Sequence, residues 1–132
     1  MNILLDTTLP PRFARALHLL MHPDHSVSHV RDLLGNDATD QHMADHLIEH
    51  PDTFVIGIDL EVSEHPHRVG EILAWNRAVF LLHADWMESE LWDQAWMLNS
   101  RIPDMLKKVS AVNAPAVFLV PADAGGRIRK LA

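Results

Sequence analysis

Three short runs of branched and aromatic residues, TFVIGI at 53–58, AVFLL at 78–82 and AVFLV at 116–120, constrain this chain more than anything else in it. Strands buried on both faces read as continuous apolar runs, and such strands occur almost only in parallel sheets covered by helices on each side. The stretches between them carry helical periodicity. Pro10 and Pro11 open one helix, with Phe13, Ala14, Leu17, Leu20 and Met21 on one face. Thr39 is placed to cap a second, running to about His50 with Met43, Ala44, Leu47 and Ile48 inward, and Pro51 marks its end. Helix is predicted from about Pro66 to Trp75, then over Glu88 to Leu98 and Pro103 to Val112. Ile3 to Leu5 and Val27 to Val30 supply two further strands. The order β-α-β-α-β-α-β-α-α-β predicts an α/β fold, a three-layer α/β/α sandwich with a mostly parallel sheet and right-handed crossovers.

A length of 132 residues, 48% of them hydrophobic and 22% charged, predicts a single domain over 1–132 with a real core. No apolar stretch approaches the roughly 20 residues needed to span a bilayer, so no membrane partner is expected. The opening MNILLDTTLP lacks a basic region and meets Asp6, and reads as a folded strand in place of a signal peptide. With no cysteine, disulfide and thiolate chemistry are excluded, which suits a reducing, cytoplasmic location. The net charge of -7 argues against holding nucleic acid by bulk electrostatics. Residues 1–66 carry 11 acids and 3 bases, whereas residues 67–132 carry 7 acids and 8 bases, and an acidic half of this kind suits a cation site.

Two predicted strands end in an acid, NILL in Asp6 and TFVIGI in Asp59. Open parallel sheets bind ligands outside the carboxyl ends of their strands, where both aspartates fall. At about 100° per residue Asp40 shares the arc of Met43, Ala44, Leu47 and Ile48, and so faces the sheet from a helix's first turn. Three carboxylates pushed together raise one another's pKa, and a hard divalent cation, Mg2+ or Mn2+, relieves that repulsion.

The opening LLDTTLPPRFARAL, the middle TFVIGID, and the tail AVFLLHADWMESELWDQAWMLNSRIPDMLKK followed by AVFLV resemble, in that order, the PIN-like domain of the VapC group of toxin ribonucleases. Trp86, the LWDQAW stretch ending at Trp96, Arg101-Ile102-Pro103 and Gly126-Arg127-Ile128 are its most distinctive part. The resemblance implies a PIN-like sandwich, metal-dependent endoribonuclease activity on an RNA substrate, and a cognate antitoxin partner. Dimerisation is common in the group, so a homodimer is a further expectation. Carried across residue by residue, it implies Asp6, Asp40 and Asp59 as metal ligands and catalytic acids, with Glu61 as a fourth acid. Arg12 and Arg15, on the first helix, are candidates for orienting RNA phosphates. Relatives tend to show Asp-Asn-Asn or Asp-Glu-Asn where this chain has Asp6-Thr7-Thr8, and basic residues where it has Leu60, Glu61 and Glu64. Hydroxyls can still support a carboxylate. These departures motivate an alternative, a PIN-fold binding module whose catalysis has decayed.

Other signals carry less. His46-Leu47-Ile48-Glu49-His50 spells the H-x-x-E-H pattern of one zinc-peptidase group, but its histidines lie on the polar flank of a helix that stops at Pro51. His22, His25 and His29 read as surface. Trp92 and Trp96, four apart among leucine and alanine, read as core. The Arg127, Arg129 and Lys130 tail suits either RNA contact or a solvated terminus. No phosphate-binding G-x-x-x-x-G-K loop and no G-x-S-x-G nucleophile is present.

Overall fold

Each apolar run of the sequence is a strand, and each is sealed on both faces. The computed structural model describes residues 1–60, 62–113, 115–123 and 125–132, with the backbone alone of Ser63. In chain order the elements are β1 (Asn2–Leu5), α1 (Pro11–Met21), β2 (Ser26–His29), α2 (Val30–Leu34), α3 (Asp40–Glu49), β3 (Thr53–Ile58), α4 (Pro66–Leu73), β4 (Ala78–Leu82), α5 (Leu91–Ala111), β5 (Ala116–Val120) and β6 (Arg129–Lys130). Single 3-10 turns at Val62–Glu64 and Ala84–Glu88 bracket the passage from β3 to α5. The sheet order is β2-β1-β3-β4-β5-β6, with every pair parallel except β5 with β6.

The pleat divides the core. Ile3, Leu5, Phe54, Ile56, Phe80, Leu82, Phe118 and Val120 pack beneath α1 and α5, while Leu4, Val55, Val79, Leu81 and Val117 pack against Val30, Met43, Leu47 and Ile72 of the helices on the other side and Trp75 of the turn after α4. The result is the three-layer sandwich that the alternation of elements demands. Burying a Phe, Leu or Ile side chain contributes about 1.5–3 kcal/mol. Strands whose six or five residues are all buried, as in β3 and β4, are therefore held by their own composition. Phe80 extends the cohesion across strands, edge-on to Phe54 at 5.4 Å and stacked on Phe118 at 5.0 Å.

Thr39 caps α3 as expected, its hydroxyl accepting the His42 amide proton at 3.2 Å. The two helices expected on either side of Arg101 are one, because Leu98, Ile102 and Met105 form a single buried stripe and Pro103 faces solvent. The short α2 and the antiparallel β6 carry too few residues to leave a periodic signal.

Several side chains lie elsewhere than the sequence suggests. Trp92 and Trp96 are 82% and 68% exposed, not core. At about 100° per residue they fall on the flank of Pro103, away from the Ala95–Leu98–Ile102–Met105 stripe, so spacing four apart kept them together and left the direction open. Trp86, like Trp75, is buried, its indole N–H donating to the Val120 carbonyl at 3.1 Å. Leu20 and Ile48 point outward as well, each one step beyond a narrow buried arc. His29, expected at the surface, is fully buried. Among the described residues no helix is long and apolar enough to cross a membrane.

Candidate active site

The register of β1 on β3 pairs Leu5 with Ile56, which sets Asp6 beside Gly57. The Asp6 amide donates to the Ile56 carbonyl at 3.0 Å, so the chain is still held to the sheet where the acid appears. A Cβ on Gly57 would lie 2.7 Å from Asp6 Oδ2, closer than any side chain tolerates. Glycine in a fully buried strand is thus the cradle of this carboxylate.

Thr8 supplies the other wall. Its amide and its hydroxyl both donate to Asp6 Oδ1, at 2.6 and 2.5 Å, and the same hydroxyl accepts the Ile58 amide proton at 2.8 Å. The hydroxyl therefore ties the acid to β3, a support that the Asp6-Thr7-Thr8 sequence permits. His29 fixes the turn from beneath. Its Nδ1 accepts the Arg31 amide proton at 3.0 Å, which leaves Nε2–H to donate to the Leu9 carbonyl at 2.6 Å. Burial pushes the Asp6 carboxyl above the usual aspartate range, against the opposing pull of the Thr8 hydrogen bonds and the charge of Arg68.

Asp40 stands at the first position of α3, exposed, and lines a small pocket with Asp6, Thr39, Met43, Arg68 and Trp75. Two of the expected acids therefore face one pocket at the carboxyl rim. Asp59 follows β3, is 6% exposed, and donates its amide proton to the Leu82 carbonyl at 2.8 Å. On the pleat it shares the face of Val55 and Gly57. Glu61 lies outside the described residues. Arg15 pairs with Asp32 at 3.2 Å and Arg12 is exposed on α1; neither lines the pockets around Asp6.

Arg68 of α4 is the member that no sequence pattern announced. Its Nη1 donates to Asp40 Oδ2 and to Glu71 Oε2, each at 2.8 Å, and its guanidinium lies 5.8 Å from the Trp75 ring centre. Burial alone would weaken this cation, but the hydrogen bonds to Glu71 and Asp40 prevail and hold its pKa above the usual arginine value. Arg68 also lines a larger open cavity, about 400 Å3, with Asp6, Thr8, Leu60, His65 and His67. The rim so far consists of a recessed carboxylate, an exposed one, and an arginine that both feel.

The donor chemistry suits Mg2+ or Mn2+, since carboxylate oxygens are the ligands such hard cations take. Among the described residues, however, no three His, Asp or Glu side chains are grouped closely enough to hold a metal ion. Arg68 supplies the counter-charge instead. With side chains 33% and 57% exposed, its pair with Asp40 is worth only about 0–1 kcal/mol, a weak hold against a divalent cation. The histidines of α3, including those of H-x-x-E-H, serve the helix: His42 Nδ1 accepts the Thr39 amide proton, His50 Nδ1 lies 2.8 Å from the His46 carbonyl, and the His46 and His50 rings stack at 4.1 Å.

A parallel α/β/α sheet with acids at the carboxyl ends of its central strands presents them where open α/β sheets bind ligands. The family model of the PIN-like domain matches residues 1–84, and the chain belongs to that family. The matched span runs from β1 through β4 and holds Asp6, Thr8, Asp40, Gly57, Asp59 and Arg68. Among curated proteins and solved structures, no match was found.

Proposed function

We propose that this chain is a metal-dependent endoribonuclease, a hydrolase of RNA phosphodiesters, and the cytoplasmic toxin of a toxin–antitoxin pair. The observation that carries the reading is a PIN-like fold whose Asp6 and Asp40 open onto one pocket at the sheet's carboxyl rim. On this reading Asp6, Asp40 and Asp59, which are not grouped closely enough as they stand to hold a metal ion, would have to draw together around Mg2+ or Mn2+. The chemistry that such a cation supplies is activation of water and neutralisation of charge on the phosphate oxygens. The chain's own part is positional. Thr8 and Gly57 fix Asp6 at the rim. Arg68 orients Asp40 and can turn its remaining donors toward a phosphate.

For the antitoxin the apolar flank of α5 offers a surface. Trp92 and Trp96, with Met87 54% exposed nearby in sequence, are bordered by Glu88, Glu90 and Asp93, so the fitting partner segment is apolar and flanked by lysine or arginine. Homodimerisation is part of the same proposal through the resemblance alone.

One observation favours the second reading, a binding module whose catalysis has decayed: Arg68 already neutralises Asp40. Incubation of purified protein with RNA and Mn2+ separates the two. Cleavage that is lost with chelator and in Asp59→Asn establishes the nuclease; RNA binding with no cleavage establishes the module. Co-purification with the product of the neighbouring reading frame tests the antitoxin, and recovery of free protein alone counts against it.

A further inference from the structure

Residues 101–132 hold six of the chain's 11 lysines and arginines and two of its 18 acids, a balance of +4 within a net charge of -7. The fold draws four of the six together. Arg101, Lys107 and Lys108 of α5 and Arg127 of the segment after β5 line an open cavity of about 430 Å3, with Asp104 the one acid among its lining residues. Arg15 and Arg68 elsewhere are ion-paired, whereas among the described residues none of these four is. Like charges gathered without partners repel, and an anion between them removes that cost.

The groups are held in place by the protein. Arg101 is 8% exposed and donates one N–H to the Asp123 carbonyl at 2.5 Å, which anchors the segment that brings in Arg127. Lys108 Nζ lies 5.9 Å from the Phe118 ring centre, so its ammonium stands against the wall of the sheet. Two guanidinium forks with two ammonium groups suit the several oxygens of a phosphate better than a single carboxylate.

We propose that this cavity, on the α5 face of the sheet, binds phosphate groups, and that they belong to an RNA strand. The choice of RNA rests on the nuclease reading; the phosphate chemistry does not. The cavity then supplies the basic surface that the acidic half of the chain lacks.

The test is fluorescence anisotropy with a labelled 12-nucleotide RNA, on the full chain carrying Asp59→Asn, with chelator present so that nothing is cleaved. Lys107→Glu/Arg127→Glu is expected to weaken binding at least tenfold and to lower the log–log salt slope by about 1.4, roughly 0.7 for each phosphate that is no longer neutralised. Arg129→Glu/Lys130→Glu, the same charge change outside the cavity, is expected to cost less than threefold. Equal reductions in the two double variants, or none in either, overturn the proposal. Pyrophosphate that binds with the same sensitivity while RNA does not would keep the phosphate site and overturn the RNA strand. Displacement by poly-glutamate as readily as by pyrophosphate would assign the cavity to an acidic protein and overturn both. RNA binding that depends on Lys107 and Arg127 in a protein that never cleaves RNA sinks the nuclease reading and leaves the cavity standing.

Discussion

At the end of β1 one carboxylate is recessed over a glycine, gripped twice by a threonine and faced by an arginine of α4, whereas beside α5 four cations ring an open cavity and, among the described residues, are not ion-paired. The first region holds a charge by enclosing it, whereas the second encloses only Arg101 and leaves Lys107 and Arg127 to solvent. Enclosure fixes position at a cost in desolvation, which is what a reacting group requires. Openness costs little and leaves those two cations available to a ligand. The acidic rim lies within residues 1–84, which match the PIN-like family, and the basic cavity lies beyond them.

If the acidic rim is the reactive region, Asp6→Asn or Asp59→Asn lowers Mn2+-dependent RNA cleavage by more than about 100-fold, beyond the 10–100-fold typical of groups that merely support a metal ligand. Lys107→Glu/Arg127→Glu acts on binding and leaves the rate at saturating RNA close to that of the unaltered protein. Measurement of kcat and KM for each variant sharpens the contrast, and a fall in kcat in the basic variant would erase it. Trp92→Ala/Trp96→Ala, outside both regions, is expected to cost about 2 kcal/mol or more in antitoxin affinity, roughly 30-fold, with thermal stability preserved.

Substitution of glycines probes enclosure directly. Gly57→Ala drives a Cβ to 2.7 Å from Asp6 Oδ2 and is expected to destabilise the fold by about 1–3 kcal/mol in urea titration. Gly125→Ala at the basic cavity, where the nearest atom would be 3.9 Å away, leaves stability unchanged within about 0.5 kcal/mol. Thr8→Val removes the bond to Asp6 and orphans the Ile58 amide, a destabilisation of about 1–3 kcal/mol. It also lifts the Asp6 pKa further, because the Thr8 bonds are what hold it down.

The smallest effect is one of pH. Since burial raises the Asp6 pKa in the folded state, the carboxyl favours folding fully at pH below its unfolded value, and that contribution is lost as pH rises through the folded value. With chelator present, Asp6→Asn is therefore expected to match or exceed the unaltered protein in stability at pH 7, and to lose that advantage as pH falls toward the ordinary aspartate range. Denaturation curves at the two pH values check it; an Asn variant less stable at pH 7 than the native chain would show that enclosure does not strain this carboxylate.

Much of the fold and part of the site are legible in the sequence. β3, β4 and β5 coincide with the apolar runs, α1 begins at its prolines, and the Thr39 cap sits where its hydroxyl can accept an amide proton. Asp6 and Asp40 do open onto one pocket. The glycine within TFVIGI is itself a signal of close approach, although periodicity treats it as one more small residue in an apolar run. Arg68 gives no signal, and neither do the buried His29, the outward tryptophans, or the assembly of Arg101, Lys107, Lys108 and Arg127 from separate segments.

By itself the sequence determined the five main strands, the helices apart from α2 and the joining of α5, and which acids stand at strand ends, because those properties follow from short-range periodicity and from burial on both faces of a strand. Only the tertiary structure decided that Arg68 would reach Asp40, 28 residues away, that Trp92 and Trp96 would face solvent, and that four late cations would share one cavity. Those outcomes depend on how separate elements rotate and stack against one sheet, and no local pattern encodes the angle at which a helix face meets its neighbour.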